Sequence, residues 1–216
     1  MKFAAVIFDL DGTILANEDE YGESFAKVLK SLGVEVNSNY PQISGIGVKE
    51  NWQIFLKKYN LKTAKSIEQL TQETQDIYLS KLSTVRLRKG FEEFINDLKK
   101  IGVLTALATS NVGFIVDKVL KSKNLKAYFD VITTAEEVRF TKPDPDLFLE
   151  TAVKLGVEPA VCLVIEDAKA GITAAHRAGM KVVGIARDED YKGQLKKADL
   201  VVNDFTELSS EILMQL

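Results

Sequence analysis

The stretch Phe3-Ala4-Ala5-Val6-Ile7-Phe8-Asp9-Leu10-Asp11-Gly12-Thr13 decides how the rest of the chain is read. Six consecutive apolar residues, rich in Val, Ile and Phe and too few for a membrane span, predict a fully buried strand. That strand runs straight into two acids. Residues two apart in extended backbone share a face, so Asp9 and Asp11 project side by side where the strand leaves its sheet, and Gly12 lets the chain turn away. Two carboxylates about 4 Å apart repel by about 4 kcal/mol at an effective dielectric near 20. A bound cation is the simplest offset. The same residues also fit ordinary turn chemistry, in which Asp-x-Asp-Gly closes a strand.

Beyond Thr13 the apolar spacing becomes helical. Phe25, Val28, Leu29 and Leu32 fall at i, i+3, i+4 and i+7 with Gly33 as a stop; Trp52, Phe55, Leu56 and Tyr59 repeat the spacing, and a third helix is predicted from about Ile67 to Leu82. No strand is predicted between Leu15 and Val85, so this segment reads as an all-helical insert. From Gly90 onward helix and strand alternate. Helices are predicted over Phe91 to Lys100, Val112 to Lys123, Asp146 to Leu155, Ala168 to Ala178 and Glu207 to Met214. Strands are predicted over Gly102 to Ala108, Phe129 to Thr133, Val161 to Ile165, Lys181 to Ile185 and Asp199 to Val202. Such alternation implies an α/β fold with a parallel sheet covered by helices on both faces, and in such sheets ligands bind beyond the carboxyl ends of the strands.

The chain of 216 residues is 46% hydrophobic, ample for a packed core, and its net charge of −3 and pI near 5.4 come without any block of like charges. That balance gives no electrostatic reason to expect nucleic acid or an anionic membrane as a partner. The single cysteine, Cys162, lies in an apolar run, so no intrachain disulfide forms and a buried, inert thiol is expected. The N-terminus lacks the pattern of a secretory leader, because Asp9 and Asp11 interrupt its apolar run; a cytoplasmic protein is expected. The only histidine, His176, has no partner ligands nearby and reads as a helix surface residue.

Several strand ends carry chemistry. Thr109-Ser110-Asn111 follows the second strand of the alternating region and opens a helix, where a hydroxyl and free amides suit a phosphate; equally, Ser110 or Asn111 is a simple cap. Pro143 biases Lys142 toward extended backbone, with Asp144 and Pro145 as N-cap and N1 of the next helix, so Lys142 is either held on a stiff segment or solvated beside a helix start. Glu166-Asp167 follows a buried strand, as oxygen ligands for a hard cation or as an N-cap. Zinc is not the expected ion, since no Cys or His cluster accompanies these acids.

Taken together and in this order, Asp9-Leu-Asp11-Gly-Thr13, Thr109, Lys142 before Pro143, and Glu166-Asp167 resemble the haloacid dehalogenase-like superfamily of phosphohydrolases. The resemblance spans essentially the whole chain. Lys142-Pro-Asp-Pro-Asp-Leu-Phe and Ile165-Glu-Asp-Ala-Lys-Ala-Gly-Ile resemble most the branch of phosphoglycolate phosphatases, sugar-phosphate phosphatases and β-phosphoglucomutases. It implies a Rossmann-like catalytic core over residues 1–14 and 86–216, with a helical cap over residues 15–85. It implies Asp9 as nucleophile, Asp11 as general acid and base, and Thr109, Ser110, Asn111 and Lys142 as phosphate-binding residues. It also implies Mg2+ held by Asp9, the Asp11 main-chain carbonyl and Asp167, with Glu166 a direct or indirect contributor. The substrate implied is a small phosphorylated metabolite, handled by a monomer or small homo-oligomer with no nucleic-acid or membrane partner. An acid at position 11 points to phosphoester chemistry, since a dehalogenase has no alkoxide to protonate.

Three positions depart from the branch. Ala16-Asn17 stands where an Asp and a Ser or Thr are common, Tyr21 where β-phosphoglucomutases usually carry His, and Lys89 where Pro commonly precedes the glycine. Tyr21 weakens a phosphomutase assignment, which stays as the alternative beside a non-catalytic phosphate-binding protein on the same scaffold. Gly45-Ile-Gly47-Val-Lys49 reads either as a plain loop or as a substrate contact, with Lys49 as its specificity residue.

Overall fold

A computed structural model describes residues 3–216. Strands β1 (Ala5–Phe8) and β2 (Leu15–Ala16) are followed by helices α1 (Glu18–Ser31), α2 (Val48–Lys58) and α3 (Ile67–Ser80), then by β3 (Arg86–Leu87) and α4 (Phe91–Lys100). The chain then alternates β4 (Leu104–Ala108), α5 (Gly113–Lys123), β5 (Val131–Thr133), α6 (Asp146–Leu155), β6 (Cys162–Glu166), α7 (Lys169–Arg177) and β7 (Lys181–Ile185), and closes with α8 (Glu189–Lys192), β8 (Leu200–Val202) and α9 (Ser210–Met214).

Six strands form one parallel sheet in the order β5-β4-β1-β6-β7-β8, with Ala5 in register with Leu104 on one side and Cys162 on the other. β1 is therefore interior, which is why its residues are apolar on both faces. Val6 and Phe8 pack into one core with Phe91, Phe94 and Phe205, while Ala5 and Ile7 pack into the other with Leu147, Phe148 and Ile172. This is the predicted doubly wound sheet with an inserted helical cap. The cap shares the first core: Phe25, Trp52, Phe55 and Tyr78 are buried together, and the Trp52 indole donates to the Thr74 hydroxyl at 2.9 Å. Ser66 and Gln69 close α3 with a reciprocal capping box. No helix among the described residues is long and apolar enough to cross a membrane.

The structure corrects several details. A strand does occur at the start of the insert: β2 pairs antiparallel with β3, Leu15 opposite Leu87, and ties together the two crossings between sheet and cap. Two residues are too few to show a period, so hydropathy alone misses them. α6 begins one residue later than the capping pattern implies, with Pro145 in the N-cap position, because Asp144 is spent in a turn whose N–H reaches the Thr141 carbonyl at 3.1 Å. β6 extends through Glu166, placing that acid in the sheet itself. The predicted closing helix divides into a short 3-10 turn over Phe205–Glu207 and α9, which is capped by Ser209.

Candidate active site

β1, β4 and β6 are neighbours and end at the same edge of the sheet, so Asp9, Thr109 and Glu166-Asp167 are gathered there from three distant parts of the chain. Lys142 reaches the same point from the loop before α6. It is buried, and its ammonium lies 2.5 Å from Asp9 Oδ1 and 2.7 Å from Glu166 Oε1. The Ala108 carbonyl is 3.5 Å away. Burial works to lower the Lys142 ammonium, but the charges of Asp9 and Glu166 together hold it above the usual lysine range. The solvated alternative for Lys142 is thereby excluded.

Glu166 is a pinned group. Its Oε2 accepts the Ala168 N–H at 2.6 Å, and it lies so close to α7 that a Cβ at Gly171 would stand 1.8 Å from its Oε1. Asp167 Oδ1 accepts the Thr13 hydroxyl at 3.1 Å, and a Cβ at Gly12 would stand 2.3 Å from Asp167 Oδ2. With φ of +81°, Gly12 serves both the turn and this close approach.

Asp11 takes a separate set of partners. Asn17 Nδ2 donates to its Oδ1 at 2.5 Å, and Asn111 Nδ2 donates to its Oδ2. Asn17 stands in the N-cap position of α1 but does not cap it, because its side chain also accepts the Gly12 N–H at 3.0 Å and donates to the Tyr78 hydroxyl at 2.7 Å. Asn111 also donates to the Tyr21 hydroxyl at 3.1 Å, and the Tyr21 and Tyr78 rings stack with centroids 3.9 Å apart. Burial first, and the Asp9 charge second, push the Asp11 carboxyl up to about 7 against the opposing Asn17 hydrogen bond. Burial likewise pushes Glu166 up to about 7, opposed by Lys142, and carries Asp167 well above the usual carboxylate range with the help of Glu166 and Asp9.

Asp9, Glu166 and Asp167 each place one ligand oxygen within 4.8 Å of the others. Oxygens on opposite sides of Mg2+ at 2.0–2.1 Å stand about 4.2 Å apart, so small side-chain shifts bring this trio to a hard, oxygen-bound cation. Asp9 and Asp167 each keep a carboxylate oxygen without a hydrogen bond among the described residues, whereas both oxygens of Glu166 are engaged. The donor set fits a divalent cation, with Glu166 the least free of the three. The Asp11 side chain stands outside the trio.

Over these groups lies a cavity of about 70 Å³, walled by Asp9, Asp11 and Asp167 below and by Tyr21, Gln42 and the loop Ile43–Val48 above. The cap loop rests on the core: the Ser110 hydroxyl donates to the Gly45 carbonyl at 3.2 Å, and Gly45, at φ of +82°, stands where a Cβ would be 2.5 Å from Ala168 Cβ. Asn51 pins this loop, accepting the Ile43 N–H at 2.7 Å and donating to the Ile43 carbonyl at 3.1 Å. Thr109 is buried in the cavity wall, its oxygen accepting the Asn111 N–H at 3.1 Å.

Lys49 lies elsewhere. Its ammonium pairs with Glu68 at 3.2 Å, half exposed, and it borders a neighbouring groove rather than the cavity over Asp9. Lys89 is exposed 3.9 Å from Asp204. Sequence reasoning missed Thr13, Arg88 and Tyr78. Arg88 donates to the Gly12 carbonyl at 2.9 Å and pairs with Glu18, so it braces the turn from the far end of the insert. Only its adjacency to β3 places it there.

Comparison with known proteins agrees with this arrangement. A family profile described as haloacid dehalogenase-like hydrolase matches residues 6–185. The chain is 30% identical over 216 residues to the β-phosphoglucomutase of Bacillus subtilis (strain 168), covering 97% of this chain and 93% of that protein. It is 30% identical over 193 residues to fructose-1-phosphate phosphatase YqaB of Escherichia coli (strain K12), covering 85% and 97%. The crystal structure of β-phosphoglucomutase from Clostridium difficile superposes with a TM-score of 0.87 at 29% identity, covering 99% of this chain and 96% of that one. A sheet whose edge gathers Asp9, Asp11, Thr109 and Asp167 under a helical insert, with Lys142 reaching in from the loop before α6, in a chain matched over most of its length by that profile, makes this chain a member of the haloacid dehalogenase-like hydrolase family.

Proposed function

We propose that this chain is a magnesium-dependent phosphatase that hydrolyses a phosphomonoester of a small metabolite through an aspartyl-phosphate intermediate. The observation that carries this reading is the division of labour between the two acids: Asp9 is paired with the buried ammonium of Lys142, while Asp11 is held by two side-chain amides and pushed up to about 7. One acid is thus kept ready to attack and the other is poised to carry a proton at neutral pH.

In this reading an Asp9 oxygen attacks phosphorus, the bond to the leaving oxygen breaks, and Asp11 gives that oxygen its proton. Asp11, now a carboxylate, takes a proton from the water that attacks the aspartyl phosphate, releasing phosphate and restoring Asp9. Lys142, the Thr109 hydroxyl, Ser110 and Asn111 hold the phosphoryl oxygens, and Lys142 offsets the repulsion between Asp9 and an incoming anion. Asp9, the Asp11 main-chain carbonyl and Asp167, backed by Glu166, hold Mg2+, which when bound supplies positive charge to the phosphoryl group. Residues 15–85 act as the cap over the core of residues 1–14 and 86–216, and exclude bulk water from the cavity.

Purified protein is expected to release phosphate from p-nitrophenyl phosphate and from a panel of metabolite phosphates with Mg2+, and to stop when EDTA removes the metal. Asp9→Asn is expected to fold and to be inactive; turnover by that variant overturns the assigned nucleophile. The likeness to β-phosphoglucomutases supports a second reading, which the same assay separates: isomerisation of a hexose 1-phosphate to the 6-phosphate with little phosphate release.

A further inference from the structure

We infer that the alcohol half of the substrate is neutral and hydroxyl-bearing, and that the cavity rejects phosphate esters carrying a second anionic group. The inference rests on the phosphatase reading above and names its substrate class. Among the described residues, no Lys, Arg or His walls the cavity, whereas Asp9, Asp11, Glu18 and Asp167 do. The cations nearby are spent. Arg88 is paired with Glu18 and the Gly12 carbonyl, Lys142 with Asp9 and Glu166, and Lys49 with Glu68. Arg187 lies 4.2 Å from the Tyr40 ring centre and 4.0 Å from that of Tyr191, and bonds Asp188 at 3.2 Å.

Apart from Glu18, which is paired with Arg88, what the cap offers instead is neutral. Tyr21 and Ser44 bring hydroxyls, and Ile46 and Val48 bring apolar surface. Gln42, also in the wall, is held by its amide, which donates to the Glu18 carbonyl at 3.2 Å. A hydroxyl-bearing alcohol both donates to and accepts from the neutral polar groups of this wall, whereas a carboxylate or a second phosphate only accepts. A second anion entering here leaves water for a wall with no counter-charge and with acids beneath it, which is the costliest form of burial.

Matched esters test this. Glycerol 3-phosphate and 3-phosphoglycerate differ only by CH2OH against a carboxylate, as do sorbitol 6-phosphate and 6-phosphogluconate. Binding is measured by calorimetry on Asp9→Asn protein with Mg2+, which needs no turnover, and phosphate release from p-nitrophenyl phosphate is measured on the unaltered protein. The better-binding polyol phosphate is expected to bind about tenfold or more tighter than its acid partner. Equal or tighter binding of the acids overturns the inference whatever the aryl phosphate shows; absent phosphate release with the preference retained overturns hydrolysis and leaves this inference standing. Ile46→Lys, which puts a cation in the wall, is expected to narrow the gap by about threefold or more; an unchanged gap in folded Ile46→Lys protein also counts against it.

Discussion

The Lys142 ammonium lies 2.5 Å from Asp9 Oδ1 across 133 residues of chain, and both groups are buried. This pair, extended by Glu166, joins the loop before α6 to the ends of β1 and β6. A single ammonium answers four acids, Asp9, Asp11, Glu166 and Asp167, so the site is short of positive charge until a cation or protons supply it.

Removing the ammonium exposes that imbalance. Lys142→Met leaves Asp9 and Glu166 buried without their partner and is expected to destabilise the fold by about 3–5 kcal/mol, besides abolishing turnover. Urea unfolding followed by circular dichroism measures it; a loss under about 1 kcal/mol would show that water takes over the role of Lys142.

The same shortage sets the pH dependence of the metal-free protein. Asp11 and Glu166 are pushed up to about 7 and Asp167 is also raised, so the folded state binds more protons than the unfolded one between roughly pH 4 and 7. Stability contributed by these groups is therefore lost as pH rises through that window. A divalent cation bound by the ionised carboxylates would restore it. The rise in melting temperature on adding Mg2+ is expected to be several degrees larger at pH 8 than at pH 5.5, by about 4 °C for each kcal/mol. Scanning fluorimetry at the two pH values decides this, and an equal or larger rise at pH 5.5 contradicts it.

Asn17 and Asn111 both donate side-chain hydrogen bonds to the Asp11 carboxylate. The Asn17 hydrogen bond favours the ionised form of Asp11, so its removal raises the Asp11 carboxyl further. Asn17→Ala is expected to move the alkaline limb of the kcat profile upward by about one pH unit, since a hydrogen bond to a charged group is worth about 1.5–3 kcal/mol. An unmoved limb with lowered kcat would mean that Asn17 positions the cap without tuning the acid.

Two glycines separate close approach from simple flexibility. Gly171 is helical, where alanine ordinarily gains about 1 kcal/mol, yet its Cβ would meet the Glu166 carboxylate at 1.8 Å. Gly171→Ala is expected to lose about 3 kcal/mol or more by forcing Glu166 off Lys142. Gly193, with φ of −58° and nothing within 4 Å of its Cβ position, is expected to gain about 0.4–1 kcal/mol as alanine. Thermal unfolding of both variants compares them directly; matching signs would refute the packing argument.

Much of this protein was legible in residue order. The apolar run before Asp9, the helical spacing after Thr13 and the alternation beyond Gly90 predict a doubly wound sheet with a helical insert, because hydrophobic period is a local consequence of which face must be buried. β2 escaped that reading, since a two-residue ladder has no period; α6 starts at the predicted Asp146, and only its N-cap moved from Asp144 to Pro145, because Asp144 is held in the preceding turn.

The site divides in the same way. Residues at strand ends, such as Asp9, Thr109 and Asp167, announce themselves through strand-to-loop transitions that sequence alone displays, and Lys142 through the proline that follows it. That Asn17, Tyr21, Tyr78 and Asn111 converge on Asp11, that Lys49 is turned to Glu68, and that no cation among the described residues faces the cavity follow only from how the cap folds back on the sheet. Backbone periodicity is written in neighbours along the chain, whereas a side chain's partner is chosen among groups brought close by packing, and that choice exists only in three dimensions.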